Sequence, residues 1–410
     1  MRRAKNPLAA LFLTVFVDLV GFGILIPLQP YLALEFGASK SGVTGLNWAY
    51  SAAQFLMAPI WGRLSDRIGR RPVLLLSIGG SIFTQALFAA TQLGHRALPA
   101  WAGLGLLYVA RIGAGACGAN LATAQAYVAD VTTPENRAKG MGLIGAAFGL
   151  GFVVGPALSG GLAHAFGFAV PLFFAASLSA VNLFLAWERL PESRREAVAA
   201  PARPGRLAEL WTALLVPGLG TLLLLHLALT SSFSTMEATF PLLVSDRFGW
   251  GAGAVGGVFA FSGVVLVIVE GGLIGRLTRR FGERALLLCG IACEGVGLAM
   301  LPYAGPRGTF AGMALLAAGN GLCVPSLSSL LSRHAGLGRQ GAILGIAASM
   351  GSLARIFGPA WGGLSYDQWS YPAPYLSMAG VLLAALVAGG AALRRLGMPE
   401  NAVAAAPPPG

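Results

Sequence analysis

Gly62-Arg63-Leu64-Ser65-Asp66-Arg67-Ile68-Gly69-Arg70-Arg71-Pro72 lies between two long apolar runs. An altered copy returns 213 positions later as Gly275-Arg276-Leu277-Thr278-Arg279-Arg280-Phe281-Gly282-Glu283-Arg284. Glycines, leucine and flanking arginines keep their places, while two positions swap charge: Asp66 becomes Arg279, and Arg70 becomes Glu283. A cationic loop repeated in two halves of a hydrophobic chain points to a duplicated membrane transporter. The duplication extends further. Gly155-Pro156-Ala157 returns as Gly358-Pro359-Ala360, and at that same offset of 203 Asp130 falls on Arg333. One half therefore offers Arg70 with Asp130, the other Glu283 with Arg333, in opposite polarity. Either the pairs form in equivalent frames, or the four are independent loop charges, since exposed pairs are worth only about 0–1 kcal/mol.

The bulk composition agrees with a membrane chain. Of 410 residues, 56% are hydrophobic and 11% charged, with mean hydropathy +0.71; a soluble domain carries about 25% charged residues. The net charge of +12 would suit nucleic acid in a soluble protein. Here the cations sit in loops and lack aromatic interleaving, so no nucleic acid is expected as partner. Cys117, Cys289, Cys293 and Cys323 fall in apolar segments and read as reduced packing residues, with no metal motif completed around them. No phosphate-binding GxxxxGK[ST] loop and no hydrolase triad spacing occurs. The reading is therefore no enzyme, no cofactor and no metal, with transport energy drawn from an ion gradient.

Twelve spans are expected, at 8–32, 43–61, 73–93, 99–129, 139–163, 168–188, 211–243, 252–274, 285–304, 308–331, 341–364 and 371–393. The first is read as a retained span, because no small-residue cleavage site follows it. The fourth and seventh runs exceed a bilayer and should tilt or project. A charged, Pro-rich stretch separates the halves. The domain reading is a six-helix bundle over 1–189, a linker over 190–210, a second bundle over 211–395 and a disordered tail over 396–410. With both termini inside, cytoplasmic segments hold 22 Lys and Arg, and the opposite side holds four: Lys40, Arg96, Arg247 and Arg307. That asymmetry predicts a multi-pass protein of the cell (inner or plasma) membrane with cytoplasmic termini and parallel repeats.

Several residues stand out inside or beside the spans. In the repeated loop, Gly62 and Gly69 suit a tight turn, and Asp66 is the odd acid among arginines Arg70 and Arg71. Arg111 lies about ten residues from the nearest expected interface, too deep to snorkel, so it should face a cavity or a carboxylate. Gly145, Gly149, Gly151, Gly155, Pro156, Gly160 and Gly161 stud the fifth span, where small residues permit close helix approach and Pro156 a kink. Four acids fall in apolar runs: Asp18, Glu237, Glu294 and Glu270, ranked in that order. An intramembrane acid can bind a proton or a cationic substrate; the plainer alternative is helix–helix hydrogen bonding. Glu237 has Phe233, Ser234 and Phe240 nearby in sequence, which suits lipophilic cations. His226 is read as a packing residue before a proton relay. Gln54 and Asn120 join Asp18, Arg111, Glu237 and Glu294 as candidate proton- or substrate-binding residues; few other polar residues occupy the spans beyond Gln125 and Asn320.

These stretches together resemble the major facilitator superfamily, and within it the twelve-span drug:proton antiporters, most closely the tetracycline-efflux-like pumps. The similarity is carried by Asp18-Leu19-Val20-Gly21-Phe22-Gly23 with Pro27, Gln54-Phe55 through Pro72, and Arg111 through Asp130. It continues through Arg137, Gly149–Gly161 and Asp246-Arg247-Phe248-Gly249-Trp250. The resemblance implies an all-α fold of two pseudo-symmetric six-helix bundles around a midplane cavity, exporting a small-molecule drug in exchange for protons, as a monomer in the lipid bilayer. It implies Asp18 as a cavity acid, Arg111 as a buried arginine linked to proton exchange, and Asp66, Arg70 and Arg71 as a gating loop. Asp130 and Gly155-Pro156 are implied as gate elements, and Glu294 as the ninth-span acid. There are two departures: Thr84 and Gln85 stand where those pumps carry an acid, which weakens the case for a metal–tetracycline substrate, and the additional acid Glu237 favours a cationic or broader range. A sugar or metabolite exporter remains an alternative, as does a non-transporting receptor on the same fold.

Overall fold

The computed structural model describes residues 7–118, 120–193, 206–216, 218–334 and 340–395. The basic N-terminus, the centre of the linker and the tail lie outside them, as do the side chains of Asn120 and Arg137. Helices account for nearly everything described, and no strand occurs among these residues. In order they are α1 (Pro7–Glu35), α2 (Lys40–Ile68), α3 (Arg70–Leu93), α4 (Ala100–Cys117), α5 (Asn120–Val131), α6 (Pro134–Phe166) and α7 (Ala169–Arg189). Then come α8 (Arg206–Leu215), α9 (Leu219–Phe248), α10 (Ala252–Val267), a π-helical turn (Ile268–Leu273), α11 (Ile274–Met300), α12 (Pro306–His334), α13 (Gln340–Gln368) and α14 (Ala373–Arg395). In hydrocarbon every backbone polar group must be satisfied within the chain, which leaves helices as the natural solution for such runs.

Ten helical stretches are long and apolar enough to cross a membrane. One of them, Ala252–Met300, has 49 residues, about 70 Å of helix and more than two bilayer crossings. It holds the eighth and ninth expected spans. The second span, α2, is not among the ten, because polar side chains such as Asn47 and Gln54 interrupt its apolar run.

Three expectations need correction. The repeated segment is not a loop: α2 stays helical through Ile68 and the chain turns only at Gly69, where φ is 102°. Gly62 lies inside the helix with open space around its Cα, so no turn requires it there. The second copy is likewise helical, broken only at Gly282 with φ 77°. Gly69 and Gly282 are the duplicated positions, and both adopt backbone angles that favour glycine. Next, the long fourth run is not one helix: α4 ends at Cys117 before Gly118, and α5 begins at Asn120. The seventh run splits too: α8 ends at Leu215 before Pro217, which cannot extend a helix, and the span proper is α9.

The chain forms two compact units that do not follow the sequence halves. One comprises Met1–Ala202, Thr235–Val264 and Arg355–Pro374; the other comprises Arg203–Ser234, Val265–Ala354 and Tyr375–Gly410. In the first unit α1 packs on α6 and α7, α3 on α4 and α7, and α2 on α4. The α1/α6 crossing is made close by glycine. A Cβ at Gly155 would lie 2.7 Å from the Gly23 Cα and 2.8 Å from the Val20 carbonyl oxygen. Ile24, Leu28, Leu32, Leu46, Phe88 and Leu172 fill a core that also takes in Leu242, Ala252 and Tyr366. In the second unit α11 packs on α12, again with glycine at the crossing: a Cβ at Gly319 would sit 2.6 Å from the Gly290 carbonyl oxygen.

Candidate functional site

Asp18, Tyr50, Arg111, Glu237 and Arg355 come together in the first unit, from α1, α2, α4, α9 and α13. Tyr50 interacts electrostatically with Arg111, Asp18, Arg355 and Glu237. Glu237 in turn interacts with Arg355 and Arg111. Two carboxylates and two guanidiniums thus lie within electrostatic range of one phenol at a depth where charge is expensive, so each needs the others nearby.

Arg111 is the most enclosed of them, only 4% exposed. One Nη donates to the Asn47 Oδ1 (3.1 Å), an oxygen that also accepts from Gln29 Nε2 (2.9 Å). Its guanidinium lies 4.6 Å from the Tyr50 ring centroid and 5.8 Å from that of Phe22. Ring faces are negative, so both contacts favour the cation. Asn47, Tyr50, Phe22 and Gln29 escaped the sequence reading because uncharged residues in a span carry no signal by themselves. Arg355 should have been found, because the depth argument that selected Arg111 applies equally to it.

Gln54 ties the end of α4 to Tyr50. Its Nε2 donates to the Gly118 carbonyl (3.2 Å) and to the Tyr50 hydroxyl (3.4 Å). The helix break at Gly118 frees carbonyls, and side chains take them up: Trp61 Nε1 donates to Ala116, Ser77 Oγ to Cys117 and Gln54 to Gly118. Thr84 and Gln85 are also spoken for. Thr84 donates to the Gly80 carbonyl, and Gln85 accepts from Ser179 Oγ (2.8 Å).

Glu294 belongs to the second unit. It is fully buried, and neither carboxylate oxygen has a hydrogen-bond partner among the described residues. Gly319 of α12 makes room for it. Glu270 sits in the π-helical turn, half-buried. His226 packs against Gly351, within the second unit.

The charges around Gly69 pair as the duplication suggests. Arg70 donates from Nη1 to Asp66 Oδ1 (2.8 Å) and to Ser65 Oγ (2.6 Å), and from Nε to Asp130 Oδ2 (3.1 Å). In the second copy Arg333 Nη2 donates to Glu283 Oε1 (3.0 Å), which also accepts from Ser329. An unexpected member is Glu192. Its carboxylate accepts from the Arg70 and Arg71 backbone N–H groups (2.9 and 3.1 Å) and so caps α3. A negative charge belongs at that helix end, and a side chain at Gly69 would collide with it. Arg71 donates to the Trp187 carbonyl and stacks over its ring. If the Arg70–Asp130 polarity matters, each single neutralisation impairs activity. The exchanged pair Arg70→Asp with Asp130→Arg then recovers part of it, through a coupling of about 0.5–1 kcal/mol. Additivity in a double-mutant cycle of transport rates would remove this expectation.

At the far end of α2 a second polar assembly forms in the same unit. Lys40 Nζ pairs with Asp246 (2.6 Å), Asp246 accepts from the Tyr366 hydroxyl (2.8 Å), and Asp367 accepts from the Lys40 and Ser41 backbone N–H groups. The Tyr31 hydroxyl donates to the Trp250 carbonyl (2.7 Å). Gly155, Pro156 and Gly160 of α6 also meet α10, where Gly253 and Gly256 leave space for them.

A family model described as Major Facilitator Superfamily matches residues 11–359 and 271–408. The tetracycline resistance protein, class C, of Escherichia coli is 35% identical over 364 residues, covering 87% of this chain and 89% of that protein. Multidrug resistance protein 2 of Bacillus subtilis (strain 168) is 26% identical and covers 90% of this chain and 91% of its own length. Among solved structures, the human organic anion transporter MFSD10 (TETRAN) superposes with a TM-score of 0.70 at 25% identity, over 93% of this chain and 98% of that one.

Proposed function

This chain belongs to the Major Facilitator Superfamily, and we propose that it is a proton-coupled antiporter exporting tetracycline-like or lipophilic cationic drugs by alternating access. The chain is a multi-pass membrane transporter and not an enzyme; relatives named for tetracycline and multidrug resistance support the drug class. The observation that carries the coupling is the cluster of Asp18, Arg111, Glu237 and Arg355 around Tyr50.

In this reading a proton arriving from outside neutralises Asp18 or Glu237. The carboxyl then no longer attracts a cationic group, and the drug leaves. Loss of the proton to the cytoplasm restores the attraction. A pair of unit charges in such a wet, partly enclosed site interacts with about 1–4 kcal/mol, roughly ten- to a thousandfold in affinity. Arg111, fixed by Asn47, keeps a positive charge beside whichever acid is ionised. Glu294, buried with no donor among the described residues, is a further carboxyl able to carry a proton. The Asp66–Arg70–Asp130 group, its counterpart Glu283–Arg333 and the close α6 crossing at Gly155-Pro156 act as gate elements. Both termini lie in the cytoplasm, a reading supported by the 22-to-4 distribution of Lys and Arg.

The test is proton-driven uptake of tetracycline and of a lipophilic cation into inverted membrane vesicles. Uptake is expected to need an acid interior and to stop when the pH gradient is dissipated; uptake unaffected by dissipation would remove the proton from the mechanism. Asp18→Asn preserves size and cannot ionise. It is expected to lower export at least about tenfold, equivalent to about 1.4 kcal/mol, at an unchanged membrane protein level. Normal proton-coupled export by this variant would exclude Asp18 from the site.

A further inference from the structure

We infer that Arg355 is a specificity-determining residue that receives an anionic group of the substrate, so that the site accepts organic acids and zwitterions carrying a carboxylate or enolate. The inference rests on the drug-export reading and deepens it.

The two arginines of the cluster are held in different ways. Arg111 is buried, with an amide oxygen against its guanidinium and two aromatic rings over it. Arg355 lies in the middle of the Ile343–Gln368 span. It interacts electrostatically with Tyr50 and Glu237, but makes no hydrogen bond, ion pair or ring contact among the described residues. Its side chain is exposed while protein surrounds it, so it borders an internal space, not the lipid face.

A guanidinium has five N–H donors in a planar fork and cannot shed its charge. At mid-span depth it is stable only with water, a counter-charge or a ligand against it. Glu237 supplies a counter-charge but no direct hydrogen bond, and Arg111 shares that same carboxylate. The cluster therefore holds an equal number of acids and arginines; Arg111 also leaves its Nε without a partner, but that atom is buried, so the arginine whose open donors a ligand can reach is Arg355. A planar carboxylate or enolate is the chemistry that matches a guanidinium fork bidentately. A zwitterion would engage both signs at once, its cationic group toward Asp18 or Glu237 and its anionic group toward Arg355. A lipophilic cation would use the acids alone.

Three substrates separate these roles in inverted vesicles: tetracycline as zwitterion, carboxyfluorescein as anion and ethidium as cation. Arg355→Gln is expected to raise the half-saturating concentration for tetracycline and carboxyfluorescein at least about tenfold more than that for ethidium, which meets the acids alone. Arg355→Lys keeps the charge without the fork and should fall between. Equal loss of all three substrates would make Arg355 only the counter-ion of Glu237 and overturn the inference. Binding of carboxyfluorescein to the purified protein, read by fluorescence anisotropy, distinguishes this failure from that of the export reading. Binding lost in Arg355→Gln supports the inference even if no vesicle transport is seen, and absence of binding to the wild type overturns it. Retained ethidium transport by Arg355→Gln also reports that the variant is folded.

Discussion

Replacing Arg111 with leucine abolishes export, by at least about a hundredfold, while the protein remains in the membrane. The size follows from what the guanidinium holds. Removing one partner of a buried, hydrogen-bonded charge cluster costs about 3–5 kcal/mol, because the remaining charges lose their balance. Without Arg111, the Asn47 oxygen loses a donor, and Glu237 keeps only Arg355. Arg111→Lys restores charge but not the planar stacking on Tyr50 and Phe22, so it recovers only part of the activity. Initial export rates normalised to membrane protein level give the comparison. A leucine variant with more than about a tenth of wild-type rate, a loss under about 1.4 kcal/mol, would show that the cluster functions without it.

Gly155→Leu is expected to prevent stable assembly. The position faces the backbone of α1, with the Gly23 Cα and the Val20 carbonyl closer to an added Cβ than contacts permit. Backbone cannot rotate away as a flexible side chain can. The helices must separate, and overpacking of this kind costs about 1–3 kcal/mol or more. Because Pro156 follows, α6 has little freedom to absorb the shift elsewhere. The measurement is the thermal midpoint of the purified protein, together with its level in membranes. Gly62→Ala is the control, since nothing lies near that position in α2. A Gly155→Leu protein as stable as this control would mean that the α1/α6 contact adapts.

How much of this was legible beforehand depended on the physical signal each feature leaves. Spans announce themselves by length and hydropathy, and Asp18, Arg111 and Glu237 by the cost of charge in lipid. The duplication exposed the Arg70–Asp130 and Glu283–Arg333 pairs, because opposite polarity in equivalent frames is hard to produce by drift. What stayed hidden has no periodic or charge signature. The break at Gly118 depends on donors from Trp61, Ser77 and Gln54 on two other helices, and no property of the fourth run alone reveals them. Glu192 capping α3 and Asp367 capping α2 are contacts between segments more than a hundred residues apart. The continuity of α2 through Ile68 was obscured because a basic, polar helix end resembles a loop in composition.

The cluster around Tyr50 has a consequence for voltage. With all four side chains ionised, Asp18 and Glu237 cancel Arg111 and Arg355, and the empty site carries no net charge. A membrane potential does no work on a neutral site, so the outward passage with a drug of no net charge is insensitive to it. Once a proton is bound, the same site is a unit cation, and its passage is driven by about 2.3 kcal/mol per 100 mV across the full membrane. Arg355→Gln or Arg111→Leu leaves the deprotonated site with a net negative charge, and so moves the voltage dependence onto the outward, drug-carrying passage.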